Sequence, residues 1–125
     1  MKVFIALLVV SILTISAGDC SKKTTGKIKY KGRLEIAGIC MNYTIKLLEG
    51  KLDTSQREAS WKDEATGKTY SNVFGLVNPC TFPTTIKQAD EFYFHIVPPA
   101  KEDCVTCLAY YPTPSKKLSI IVVEK

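Results

Sequence analysis

The sequence predicts an all-β domain, an antiparallel β-sandwich or small barrel of about seven strands stapled by disulfides. Three observations predict it. Short runs of alternating apolar and polar residues recur along the chain, as in half-buried strands. No stretch carries a convincing helical stripe. Five cysteines, Cys20, Cys40, Cys80, Cys104 and Cys107, follow an opening that reads as an export signal. They therefore belong to an oxidising compartment, where a small domain gains most from bridges.

The export signal is Met1-Lys2, an apolar run from Val3 to Leu13, and small residues at Ser16, Ala17 and Gly18. A basic start, a short apolar centre and a small-residue end form a secretory signal. A membrane span needs about 20 apolar residues, and this run is shorter. Cleavage is expected after Gly18, with Ala17 the near alternative. Residues 1–18 are then the signal, and 19–125 form one secreted, extracellular domain with no membrane span. The net charge of +5 is spread along the chain. Such a spread serves solubility. It lacks the dense basic patch that a nucleic-acid partner requires.

Taken in order, Ser21 to Gly26 is a polar lead-in. Lys27 to Ile36 alternates, with Ile28, Tyr30, Leu34 and Ile36 on one face and Lys27, Lys29, Lys31, Arg33 and Glu35 on the other. This is the first strand. Gly32 marks a bulge or bend within it. Ala37-Gly38 bends the chain before a second strand over Asn42 to Glu49. Tyr43, Ile45 and Leu47 share one face there, and Thr44 and Lys46 the other. Asn42-Tyr43-Thr44 is also an N-glycosylation sequon. Occupancy would require Asn42 at the surface.

Gln56 to Ala65 has a helix start signal at Ser55 and Glu58. Its apolar residues are too few for a helical face, so a short strand over Arg57 to Lys62 is preferred. The lone Trp61 reads as a packing residue. A turn follows at Asp63 to Gly67. Lys68 to Val77 is apolar on both faces and reads as a central strand. Asn78-Pro79 ends it. Glu91 to Val97 is the strongest strand, with Phe92, Phe94 and Ile96 on one face and Tyr93, His95 and Val97 on the other. Pro98-Pro99 stops it. Cys104 to Tyr111 reads as another strand, stopped by Pro112 and Pro114. Leu118 to Val123 closes the chain.

The candidate chemistry is sparse. Cys104 and Cys107 form a C-x-x-C pair. A redox pair would sit at a helix start, and none is expected there. Zinc would need four ligands, and His95 offers only a third. Structural disulfides among Cys40, Cys80, Cys104 and Cys107 are the preferred reading, each cysteine of the C-x-x-C bridging to a different strand. Cys20 is the candidate for the odd, unpaired or intermolecular cysteine. His95 has no nucleophile or carboxylate partner in any motif. The acid pairs Asp63-Glu64, Asp90-Glu91 and Glu102-Asp103 read as solvated turn charges. No catalytic, metal or cofactor site is expected.

Two resemblances carry further expectations. Ile28 to Leu34, Tyr43 to Glu49, Lys62 to Gly67 and Asn72 to Leu76 together resemble the secreted transthyretin-like proteins of nematodes. Glu35 and Ile36 stand where that family has a cysteine, and His95 is followed by Ile96-Val97-Pro98 rather than its His-x-Cys. The resemblance implies a transthyretin-like β-sandwich with an extracellular, non-enzymatic binding or signalling role. The second is to netrin-like modules such as the tissue inhibitors of metalloproteinases. Asp19 precedes Cys20 here, and the usual Cys-x-Cys start is missing.

The function expected is therefore a secreted binding or signalling protein. Its partner would be an extracellular protein or a small hydrophobic ligand. The alternatives are an extracellular inhibitor or toxin-like effector acting through the Pro-rich loops at 79–83 and 112–114, and a thiol oxidoreductase using Cys104 and Cys107.

Overall fold

A computed structural model describes residues 28–105 and 107–124. The expected signal segment, its cleavage site and Cys20 lie outside them. The described chain is all-β, with β1 at Tyr30–Gly38, β2 at Asn42–Glu49, β3 at Glu58–Lys62 and β4 at Thr69–Leu76. Then come β5 at Glu91–Ile96, β6 at Lys117–Leu118 and β7 at Ile120–Val123. All seven belong to one sheet of order β3-β4-β2-β1-β5-β7, with β6 paired to β4.

The last run of chain gives the sheet its shape. β6 pairs parallel to β4, through Gly75 with Lys117 and Leu76 with Leu118. One residue later, β7 pairs antiparallel to β5. The same run thus touches both ends of the path β4-β2-β1-β5. The sheet must curl to allow this, and its halves face each other across one core. Leaving β3 aside, the arrangement is similar to the five-stranded, partly open Greek-key barrel of OB-folds.

Ser119 is the crossing point. Val77 N donates to Leu118 O at 2.8 Å, while Val97 N donates to Ser119 O at 2.9 Å. Asn78 extends the β4 ladder with its side chain. Its Nδ2 donates to Ile120 O at 2.6 Å, and its Oδ1 accepts from Ile120 N at 2.9 Å. A buried amide side chain has the donor and acceptor of a peptide unit, so it substitutes for a strand partner where the chain turns away toward Pro79.

Alternation fills the core as expected. Tyr30 and Leu34 of β1 lie in the core, as do Ile45 and Leu47 of β2 and Phe92 and Phe94 of β5. A register shift after Leu34 pairs Ile36 with Thr44, so Ile36 is buried on the other face, which corrects its expected place beside Leu34. Phe94 is fully buried and stacks on Tyr30 at 5.4 Å between centroids. It also meets Phe74 at 5.7 Å and Phe92 at 5.9 Å, both tilted. Phe82 adds an edge-to-face contact with Phe92 at 5.3 Å. The rings close off the interior. A Cβ on Gly32 would lie 3.0 Å from Phe94 Cε1 and 3.1 Å from Ile45 Cγ2. The register of β1 on β2 shifts at that glycine, where the sequence placed a bulge or bend.

Several expectations need correction. Ile28 is exposed and precedes β1, so it does not join the inner face. The strand continues to Gly38, and the bend comes later, in a single 3-10 turn at Ile39–Met41. The strand expected over Cys104 to Tyr111 does not form: residues 97–116 contain no strand among those described. Prolines at 98, 99, 112 and 114 flank it and cannot donate to a ladder. The inner strands β1, β2, β4 and β5 are also already paired with other strands.

Candidate functional site

Residues 97–116 connect β5 to β6, and those of them that the structure describes form no helix or strand. A structureless connection this long is uncommon in a small domain and is usually functional. Here it is a strap fixed at many points. Glu102 Oε1 accepts from Cys80 N at 2.9 Å. Cys104 is bonded to Cys80 and Cys107 to Cys40, with Cα atoms 5.6 and 5.4 Å apart. Asn42 Nδ2 donates to Ala109 O at 3.1 Å. Tyr111 donates its hydroxyl to Asp63 Oδ2 at 2.8 Å. Pro114 is fully buried, and Ser115 Oγ donates to Glu58 Oε1 at 2.7 Å.

Asp63 shows why the strap returns where it does. It sits at the start of the β3–β4 turn and is completely buried. Its Oδ1 accepts from Ala65 N at 2.8 Å, as in an Asx-turn, leaving Oδ2 for Tyr111. The hydrogen bond to Asp63 and the nearby negative charge raise the Tyr111 hydroxyl above its ordinary pKa. Asp63 is thus a buried turn and strap anchor, which corrects its reading as a solvated charge. Glu102 is half-buried and also anchors the strap.

The disulfides place the C-x-x-C pair in a definite role. Its two cysteines are bonded to different elements, one to the turn at Pro79–Thr81 and one to the turn at Ile39–Met41. They are not bonded to each other, so they do not form a dithiol couple of the redox kind. In the β1–β2 turn, Cys40 and Met41 both have positive φ, 58° and 59°. Non-glycine residues in that region cost about 1–3 kcal/mol each and persist where the surroundings over-determine them. The Cys40–Cys107 bridge and the bond from Asn42 Nδ2 to Ile39 O at 2.8 Å hold this turn.

The surface so fixed is apolar. Val105 is 94% exposed, Leu108 98%, Tyr110 80% and Ile39, on the bridged turn, 59%. Exposed apolar side chains are informative where they gather rather than stand singly. Among the described residues no other segment presents three of them within six positions.

The remaining candidates are scattered. His95 lies on β5, with Nδ1 2.8 Å from Ile28 O. Trp61 faces Tyr70 across β3 and β4, with centroids 6.0 Å apart. No group of three His, Cys, Asp or Glu suited to a metal ion occurs among the described residues. No helix among them is long and apolar enough to cross a membrane. The grooves on the surface are open to solvent and hold about 240 to 420 Å3. Sequence reading missed the strap as a unit because alternation at Cys104 to Tyr111 mimics a strand. The signal that could have found it was the pair of prolines at each end.

Compared with protein-family models, with curated proteins and with solved structures, the chain matches none.

Proposed function

We propose that this is a secreted, non-enzymatic binding protein that engages an extracellular protein through the strap and the turn bridged to it. The carrying observation is the exposure of Ile39, Val105, Leu108 and Tyr110 on backbone fixed by two disulfides. A rigid apolar ridge loses little conformational entropy when it is buried by a partner. Aromatic and aliphatic anchors of this kind dominate binding energy at interfaces. Barrels of the OB type support the placement by analogy: their binding rim includes the loops joining strands one to two and four to five. Here those loops are the Ile39–Met41 turn and the strap. The small hydrophobic ligand is the weaker partner choice, because aromatic rings fill the core.

The inhibitor reading draws on the same ridge. A disulfide-tethered loop with exposed apolar side chains suits the cleft of an enzyme or receptor. The resemblance to netrin-like modules points the same way.

The test uses Leu108→Asp with Tyr110→Asp in the full chain. Native extracellular fluid is passed over immobilised wild-type and variant protein, and retained proteins are identified and re-tested when purified. The expected result is a purified partner whose affinity falls at least tenfold with the variant, at unchanged thermal stability. Equal binding by both proteins would remove the ridge from the interface. Loss of a partner enzyme's turnover on binding would establish the inhibitor reading.

A further inference from the structure

The sequon residue Thr44 is in an unusual position. It is completely buried on β2, paired across the sheet with Ile36 and Gly75. Its Oγ1 is the one buried side-chain polar atom without a hydrogen-bond partner among the described residues. The strap covers that side of the sheet: a Cβ on Gly75 would lie 3.2 Å from Pro114 O. Valine has the shape of threonine without the hydroxyl and suits a buried strand at least as well. An unsatisfied buried hydroxyl is a recurring cost to the fold. The fold therefore gives no reason for threonine at this position.

The sequon gives one. In Asn-x-Ser/Thr the hydroxyl two residues after asparagine is required for glycan transfer. Asn42 itself is half-buried, and its Nδ2 lies at the surface. We infer that Asn42 is an occupied N-glycosylation site, and that Thr44 is kept for a transfer that precedes folding. The substrate is a polyprenyl-diphosphate-linked oligosaccharide. Asn42 Nδ2 forms a bond to C1 of the reducing-end sugar and loses one proton. The bond from C1 to the phosphate oxygen breaks, and the polyprenyl diphosphate leaves with its electron pair.

The folded geometry sets the order of events. Asn42 Nδ2 spends both hydrogens, on Ile39 O at 2.8 Å and on Ala109 O at 3.1 Å. The backbone of residues 42–44 is paired to β1. A folded chain thus offers the transferase neither a free amide nor an extended acceptor with an accessible hydroxyl. The glycosylated chain keeps one Nδ2 hydrogen, so one of the two bonds is absent from it. The sugar root then sits beside the Ile39–Met41 turn and Ala109 of the strap.

The inference rests on the secretion part of the proposed function, and the test separates the two. The full chain is expressed in a eukaryotic secretory host, and medium and cells are assayed separately. Wild-type protein in the medium should lose a glycan mass on treatment with a peptide amidase, and peptide maps should then show Asn42 converted to aspartate. Thr44→Ser should retain a glycan, and Thr44→Val should lack it. Wild-type and Thr44→Val are also made in bacteria, oxidatively refolded and compared without sugar. Thr44→Val should then melt about 4 °C or more above wild type. Secreted wild-type protein with the bare polypeptide mass would overturn the inference and leave secretion standing. Protein retained unprocessed in the cells would overturn secretion and the inference with it. A lower melting temperature for unglycosylated Thr44→Val would show that the hydroxyl serves the fold, and overturn the argument from burial.

Discussion

Replacing Asn78 by alanine should unlatch the end of the chain. The side chain is 9% exposed and makes two reciprocal bonds to Ile120, at 2.6 and 2.9 Å. Alanine leaves a buried N–H and a buried C=O without partners, each costing about 1–3 kcal/mol. The lost bond from Nδ2 to Thr81 Oγ1, at 2.8 Å, lies nearer the surface and adds less. A total of about 2–6 kcal/mol is a large share of the roughly 5–15 kcal/mol that such domains possess. Urea denaturation should show the midpoint falling by about 1–3 M with an unchanged slope. Asn78→Asp is the sharper variant. It keeps the acceptor for Ile120 N but presents a carboxylate, not a donor, to Ile120 O. It should be as damaging as alanine at pH 7 and partly recover as pH falls toward about 4, because burial against Ile120 O raises the carboxyl above its ordinary value and the protonated group can donate. A loss under about 1 kcal/mol for Asn78→Ala would refute the claim that this amide substitutes for a strand partner.

Other outcomes follow from the same structure. Cys40→Ser with Cys107→Ser opens a loop closed across 67 residues, which is worth about 4 kcal/mol by chain entropy and typically 2–4 when measured. Differential scanning calorimetry should show the melting temperature reduced by roughly 10–25 °C. Gly50→Ala should cost about 1–3 kcal/mol in chemical denaturation, since its φ is +113° and a Cβ there would overlap the Tyr30 ring. Gly67→Ala, with φ +77° but nothing within 4 Å, should cost only the backbone part, about 1 kcal/mol. Tyr111 has a raised folded pKa, caused first by its bond to Asp63. Its contribution to stability is present below the ordinary tyrosine value near 10 and is lost as pH rises through the raised folded value. Tyrosinate absorbance should show a late-titrating group that Tyr111→Phe removes.

Much of the sheet was legible because period-2 alternation carries direct information about burial. β2, β4 and β5 stand within a residue of their expected limits, and the inward residues of β2 and β5 are those the pattern selected. The strap was not legible for the complementary reason. Val105, Leu108 and Tyr110 are apolar, and pattern reading assigns apolar residues to a core. Whether such residues reach one depends on tethers from Cys40, Cys80, Asn42 and Asp63, all distant along the chain; the two bridges alone span 67 and 24 residues. Asp63 was missed similarly. A turn aspartate reads as solvated until Tyr111 is folded over it. Thr44 was placed on the outer face by parity, and parity was right; the strap covers that face.

The two disulfides share a feature with consequences for how the protein is made. Cys104 and Cys107 are near neighbours, so swapping their partners hardly changes the loops. The observed bridges span 67 and 24 residues. The exchanged pair, Cys40 with Cys104 and Cys80 with Cys107, would span almost the same lengths. By the logarithmic loop-closure law the two isomers differ by only about 0.1 kcal/mol in the unfolded chain. An oxidising environment alone would therefore yield both in similar amounts. The choice falls to noncovalent contacts such as Glu102 on Cys80 N, which seats Cys80 before it reacts. Correct pairing is thus a record of prior folding. Oxidative refolding in a thiol–disulfide buffer, which permits exchange, should convert a scrambled chain to a single isomer where air oxidation leaves a mixture of pairings.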